Sequence, residues 1–510
     1  MRTCPSCGRQ AAEEDVFCRG CGSRLPAAQG ADEVQHHEAP GAGPSGAGPS
    51  AAVPPAPSAY APAQVPGPQP GTPQPTVSAP GPGAGGRPAG GRGRNRGLLI
   101  VGIVVTVVIA AFLAFVAYTV SEGGPSARPK TVTVKPDAAQ DYGPLSDAIR
   151  RVAEGGTVQL GAGTYDLGDR QLVITRSVRL VGAGPEETEV VGSAKESALV
   201  VRAADFSAEG ISFVKSGSTN GGALAVTHGT LQMTRCRFTG SSGDKQWSYA
   251  SLWIKGDAQA TVRECTADDG DSGIDASGDS SVTMESTQCN SNRVSGVAVY
   301  GNAEAIMRSC TCAGNADYGV TVSEHARVKI QGGRFSNNKT GVWIEHGKSA
   351  RIERCKFNSN QRRGVMVAGG TNVVILESTF VGNGNGIEVF GGQRVALLTN
   401  RCERNRETGI TVAGGDHVRV EWNRCNRNGD RHTGGICVNR RGHPRLLNNT
   451  CNNNLGYGIL FRDRASGEAR ENYCSRNRWG IIINDRAHPK LRGNDCEFNS
   501  KGNIETYRGG

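Results

Sequence analysis

The chain has 510 residues, 16 cysteines, 72 glycines, only 5% aromatic residues, and 57 Lys and Arg against 47 Asp and Glu, a formal charge of +10. The charge is uneven: residues 401–510 hold 20 Arg and Lys against 12 Asp and Glu, whereas 264–285 hold acids and no base. Net charge therefore does not mark a nucleic-acid-binding protein; it fits either an anionic polymer near the distal end or cations that keep a long sheet soluble and its edges unpaired.

Residues 1–25 carry Cys4, Cys7, Cys18 and Cys21 as two Cys-x-x-Cys knuckles ten residues apart. Thiolates so spaced on two tight turns reach one tetrahedral ion, so the spacing predicts a zinc ribbon with structural Zn2+. Gly8 and Gly22 follow the second Cys of each pair and free those turns. So small a unit has no core of its own, and the metal is expected to fold it. It is too short and too poor in basic and aromatic residues to read as a nucleic-acid binder; a cytoplasmic protein partner is the expectation.

Residues 26–97 are mostly Ala, Gly and Pro, a composition that cannot bury enough apolar surface to fold and predicts a disordered tether. Residues 98–120 are an uncharged run of 23, which at ~1.5 Å per residue spans a ~30 Å hydrocarbon layer and predicts one transmembrane helix. Arg87, Arg92, Arg94 and Arg96 crowd its N-terminal side, while Glu122, Arg128 and Lys130 follow the other. The positive-inside rule then places the N-terminus in the cytoplasm and everything after a short linker, 121–130, outside the cell.

From 131 to 510 the pattern changes. Leu145, Ala148, Ile149 and Val152 form the apolar stripe of a short helix. Further on, a Gly followed by Ile or Val returns at Gly273, Gly296, Gly319, Gly341, Gly364, Gly386, Gly409, Gly435, Gly458 and Gly480. The spacing is 22 or 23 residues, with a three-residue insertion between Gly409 and Gly435. About four residues before each Gly from Gly296 on, and once more after Gly480, stands an Asn (Asn292 to Asn499), and three before that a Cys or Phe (Cys289 to Cys496). Cys and Phe trade places, so that slot is interior. After each Gly the apolar residues alternate, as in Gly386-Ile387-Glu388-Val389-Phe390, which is a strand. The Asn column predicts a turn held by stacked amides, and the whole predicts an all-β solenoid.

With these columns the chain resembles the right-handed parallel β-helix, or pectate-lyase-like, superfamily over 131–507. Pro136-Asp137, Gly155-Gly156-Thr157-Val158 and Gly161-Ala162-Gly163-Thr164-Tyr165 are similar to that superfamily's beginning, where the helix would plug the open end of the solenoid. Most cysteines outside the ribbon fall in or beside the interior slot, Cys265 being out of step, and are expected to be buried free thiols rather than disulfides.

The resemblance implies that chemistry or sugar binding occurs on the outward strand face or a groove beside it. One outward column includes Trp253, Asp275, Trp343 and Glu388; the next includes Lys255, Tyr300, Glu345 and Phe390. Exposed aromatics outside a membrane mark a sugar-stacking surface, which makes Trp253, Tyr300, Trp343, Glu345, Glu388 and Phe390 the carbohydrate-binding candidates. Glu345 and Glu388, ~10 to 12 Å apart by coil spacing, are poorly placed for a glycosidase. Asp268, Asp269, Asp271 and Asp275 crowd one coil and could hold Ca2+ beside Lys255 as base, although a solvated acidic turn is favoured. Lys255 and Asp275 are the catalytic candidates of that alternative. Two readings result: a membrane-anchored rod binding an envelope or extracellular polysaccharide, and a polysaccharide lyase or epimerase, possibly calcium-dependent.

Two outcomes test the N-terminal assignments. Protease added to intact cells is expected to remove the solenoid and spare the first ninety or so residues; the reverse pattern inverts the topology. Cys18→Ser is expected to release the zinc and unfold the ribbon alone, read by metal analysis and circular dichroism of the full chain.

Overall fold

The computed structural model describes Arg2–Thr3, Gln10–Ala11 and residues 128–507 except 137–142, 218–219 and 241–248. Cys4, Cys7, Cys18, Cys21, the tether and the 98–120 segment lie outside the described residues. Arg2–Thr3 pairs antiparallel with Gln10–Ala11. Among the described residues no helix is long and apolar enough to cross a membrane.

Residues 131–507 wind into a parallel β-solenoid. Among the described residues one sheet has 16 strands, from Thr131–Val134 to Lys490–Arg492, and a second has 15, from Leu172–Ile174 to Gly502–Tyr507. The third is split into runs of five and six strands, bridged and extended by single pairs such as Thr266↔Gln288 and Gln288↔Thr311. Each turn adds one strand to a sheet, and inward residues from all three meet in one continuous core. The helix Gly143–Arg151 buries Leu145, Ala148 and Ile149 at the first coils, as its stripe predicts.

The three columns of the repeat prove to be one packing unit. Asn383 Nδ2 donates to the Phe357 carbonyl and to Asn405 Oδ1, both at 3.0 Å, while its own Oδ1 accepts from Asn360 Nδ2 at 2.8 Å and the Asn360 amide at 3.0 Å. The same pattern runs from Asn292 to Asn499. A Cβ on Gly386 would lie 2.4 Å from the Gly409 carbonyl and 3.2 Å from Asn405 Nδ2. On Gly364 it would meet the Phe380 ring at 2.5 Å. Glycine recurs because the amide, the ring and the next strand occupy the space of its side chain. The Phe slot stacks, Phe335 on Phe357 at 5.1 Å and Phe357 on Phe380 at 4.6 Å between centroids.

A second ladder, not anticipated from the sequence, holds another corner. Asn400, Asn423, Asn449, Asn472 and Asn494 bond in series in the same way. In earlier coils Cys236, Cys265, Thr287, Cys310, Cys355 and Ser378 take this position, two residues before the Cys/Phe slot, so Cys265 is in step with a different column. Each ladder Asn follows a residue with positive φ, among them Arg404, Arg427, Thr399 and Trp422. Such residues cost ~1–2 kcal/mol apiece in isolation, and the bonded ladders hold them. The solenoid cysteines are free, and all but Cys496 are buried. Burial pushes Cys310 up to about 12 and Cys355 to about 11, keeping both protonated and inert.

Asn383→Ala would remove the acceptor of two buried Asn360 donors, the backbone amide and Nδ2, and one donor to the Phe357 carbonyl. Each group left unsatisfied in the core costs ~1–3 kcal/mol. The substitution is expected to lower the urea midpoint by an amount equivalent to ~3 kcal/mol or more; an unchanged midpoint would mean the ladder is not what holds the coils.

Candidate functional site

Because the ladders lock each coil on the next, outward residues stack in true columns. Trp253, Asp275, Ala298, Thr321, Trp343, Met366, Glu388, Thr411, Cys437 and Leu460 pair in sequence along the 15-stranded sheet. Ser323, Glu345, Ala368, Phe390, Ala413 and Asn439 form the neighbouring column.

On this face lies a groove of about 610 Å³. Trp343 and Glu345 stand at one end, Tyr457 and Arg462 at the other, with Met366, Thr411 and Ala413 between them. The short side chains of Thr411 and Ala413 leave space between the two ends. Arg362, Arg363, Asn385, Glu407 and His432 border one side, and Phe390, Asn439 and Arg440 the other. The three-residue insertion builds part of this wall. Asp430 Oδ1 accepts from the amides of His432 (2.7 Å) and Thr433 (3.0 Å), forming a tight turn that carries both residues to the groove. Those amide bonds, that of His432 foremost, lower the Asp430 pKa and favour the charged form that holds the turn.

Several contacts preorganise the lining. Arg363 Nε donates to Glu388, an ion pair in which both side chains are mostly buried. The Arg440 guanidinium lies 5.2 Å from the Phe390 ring centroid. Asn385 Nδ2 donates to Glu407 at 2.7 Å, and Asn385 Oδ1 accepts the Thr408 amide. The Tyr457 hydroxyl lies 3.4 Å from Thr408 Oγ1, and burial raises its pKa well above the ordinary phenol value, so it is a hydrogen-bonding group rather than a base. One polar atom is unmatched: Asn439 is only 8% exposed, and its Oδ1 accepts no hydrogen bond among the described residues.

Four of the six residues selected from the outward columns, Trp343, Glu345, Glu388 and Phe390, therefore border one groove. Trp253 and Tyr300 do not line it; they lie at least two coils toward the N-terminus. Contrary to the expectation of exposed aromatics, all four rings are half-buried. Trp343 meets Tyr318 edge-on at 5.2 Å, and Trp253 meets Tyr249 at 6.2 Å. Burial pushes Tyr300 up to about 12. Arg363, Tyr457, Arg440 and Arg462 were not among the sequence candidates. The first two occupy the position just before the repeat glycine, a third outward column whose members Thr340, Arg363 and Asn385 pair in register.

The acidic coil is solvated only in part, at Asp269 and Asp268, and its carboxylates do not converge on one point. Asp268 accepts the Asn290 amide at 2.8 Å, Asp271 pairs with Arg293, and Asp269 is exposed at a turn. Asp275 is 5% exposed, its Oδ1 unpartnered among the described residues, and burial pushes it up to about 7. Lys255 does not pair with it; its ammonium lies 4.1 Å from the Trp253 ring centroid, where cation–π attraction holds it. Among the described residues no three His, Cys, Asp or Glu side chains are grouped to hold a metal ion.

A family model described as the right-handed beta helix region matches residues 201–352 and 340–496. No curated protein sequence matches. Among solved structures, the N-terminal fragment of bacteriophage Phi29 gene product 12 is 13% identical with a TM-score of 0.51, covering 75% of this chain and 85% of that one. The A-module of the Azotobacter vinelandii mannuronan C-5 epimerase AlgE6 is 15% identical with a TM-score of 0.43, covering 73% and 97%. The Dettilon tailspike protein is 13% identical at 0.46, covering 61% and 68%. At these identities the likeness is one of fold alone.

The burial of Asp275 makes stability depend on pH. Its folded pKa is raised above the unfolded value near 4, so the folded state keeps a proton that the unfolded state has lost. Stability therefore falls as pH rises from about 4 through about 7, by up to ~4 kcal/mol from this residue. Asp275→Asn is expected to remove that decline, read as thermal midpoints at about pH 5 and pH 8; parallel curves for the two proteins would show that the carboxyl is solvated.

Proposed function

The chain belongs to the right-handed β-helix family, and from that premise we propose that its groove binds a segment of polysaccharide outside the cell, the solenoid being anchored by the 98–120 segment. The observation that carries the reading is the buried, unpartnered Asn439 Oδ1 in a groove that also presents aromatic rings. A buried acceptor left dry is costly, and a sugar hydroxyl entering the groove supplies the missing donor. Trp343 and Phe390 offer apolar surface to pyranose rings, and Glu345, Arg362 and Arg462 offer polar groups to their hydroxyls. From the Trp343 coil to the Tyr457 coil is five steps, ~24 Å at ~4.8 Å each, a length that suits several sugar units.

Support for the rest of the chain comes from its sequence. The Cys-x-x-Cys pairs favour structural Zn2+ on Cys4, Cys7, Cys18 and Cys21, and the arginine asymmetry favours a cytoplasmic ribbon available to a protein partner.

A lyase or epimerase is the second reading, and its support moves from Lys255 and Asp275 to the groove. His432 could exchange a proton, and Arg462 could neutralise a developing negative charge. Release of unsaturated sugar or inversion of a sugar carbon, with and without calcium, distinguishes it from binding alone.

Full-length protein in detergent, applied to a glycan array, tests the proposal. Trp343→Ala and Phe390→Ala are each expected to weaken the selected glycan about tenfold, ~1.4 kcal/mol, with the solenoid still folded. Trp253→Ala, outside the groove, is expected to bind as wild type. Equal losses in all three variants, or no glycan bound at all, would overturn the assignment.

A further inference from the structure

The outward face of the 16-stranded sheet, a different side of the solenoid, contains an arrangement that glycan binding does not use. Besides a polar column at the start of the strands (Glu304, Arg327, Ser349, Thr371, Gln393), two outward columns run along it, and in most coils at least one of these two residues is polar. In two adjacent coils both are apolar: Val374 with Leu376, and Ala396 with Leu398, paired in register and partly exposed. Their strand neighbours Val373, Ile375, Val395 and Leu397 are fully buried, so the core does not require apolar residues on the outside as well.

Ion pairs of the same order close both ends of this patch. On one side Arg351, in register with Val374, bonds Glu353, in register with Leu376, at 2.8 Å. On the other, Arg419 and Glu421 extend the same columns and bond at 2.6 Å. Both glutamates are buried beneath their arginines. In each pair the cation is in the first column and the anion in the second. Beyond Glu421 stands Trp422, 61% exposed and held at positive φ, an unfavourable place for a bulky residue on both counts.

We infer that this face is a self-association surface, on which two copies of the chain pack side by side and parallel about a two-fold axis along the solenoid. Charge complementarity selects both the partner and the axis. Sheets packed face to face are related by a two-fold lying in the plane between them. An axis along the strands would put Arg351 against the partner's Arg419, and Glu353 against the partner's Glu421. An axis along the solenoid exchanges the two columns and keeps the coil order. Arg351 then meets the partner's Glu353, Arg419 the partner's Glu421, Val374 the partner's Leu376 and Ala396 the partner's Leu398. Each intrachain ion pair becomes half of a four-charge ring, and the apolar pairs close between the rings. Parallel packing also leaves both N-terminal ends on the same side.

Sedimentation equilibrium of the full-length chain in density-matched detergent tests the inference. Wild type is expected to dimerise, and Leu398→Glu to raise the dimer dissociation constant at least ~tenfold with an unchanged thermal midpoint. The paired reversal Glu353→Arg with Glu421→Arg is expected to weaken association similarly. Adding Arg351→Glu and Arg419→Glu is expected to restore it, because the axis exchanges whole columns. Oxidising a mixture of Val374→Cys and Leu376→Cys chains carrying different tags is expected to join unlike chains in preference to like ones. A wild type monomeric at about 10 μM, association indifferent to Leu398→Glu, or a fourfold variant no better than the double one would each overturn the inference.

Discussion

A buried side-chain amide has four hydrogen-bonding positions, and inside a solenoid the groups able to fill them belong mainly to the coils above and below. Asn360, Asn383 and Asn405 therefore bind one another as well as the carbonyls of the Cys/Phe slot. A slip of one coil by one residue would strand an amide and flip every core side chain outward. The glycine after each Asn, the ring or thiol before it, and the left-handed residue that turns the corner are all conditions of that amide being where it is. The penalty for slipping is large and local, so the register is uniform from Asn292 to Asn499.

That uniformity is what turns an outer surface into a set of columns. With the core unable to absorb a change in coil length, the extra residues between Gly409 and Gly435 had to leave the sheet, and they form the Asp430 turn that carries His432 and Thr433 to the groove. The groove is a consequence of rigid stacking plus one insertion, with the short side chains of Ala413 and Thr411 leaving space between Trp343 and Tyr457. The same register on another face sets Arg351 and Glu353 at one end of an apolar patch and Arg419 and Glu421 at the other. Both surfaces inherit their order from the ladder without disturbing it.

Cysteine usage follows from the same geometry. Cys402, Cys425, Cys451 and Cys474 continue the slot of the stacked Phe side chains, whereas Cys236, Cys265, Cys310 and Cys355 hold the corner that Asn takes over from Asn400 onward. A small, weakly polar side chain fits either position, and burial holds Cys310 and Cys355 protonated.

The 22-to-23-residue period, the Gly-Ile/Val strand and the Asn column were sufficient to read the solenoid and the pairing of outward residues, because each is a local pattern repeated until chance is excluded, and the Leu145 to Val152 stripe was sufficient to read the N-terminal helix. They also pointed to Trp343, Glu345, Glu388 and Phe390. The second ladder was less legible, since its position is filled by Cys, Thr or Ser in the earlier coils. Depth was not legible at all. The columns that hold Trp253, Asp275 and Tyr300 read as outward, but whether an outward side chain is open or covered depends on how the side chains of adjoining coils fold over it, and here Asp275 is buried beside Trp253 and Lys255 lies on the Trp253 ring. Arg363, Tyr457 and Arg462 entered the site for the same reason: a groove is made by residues far apart in sequence whose convergence no single repeat encodes. Sequence alone determined how one coil sits on the next, because that is settled by neighbours one period away; the tertiary structure decided which part of the surface is concave, because concavity is a property of many coils together.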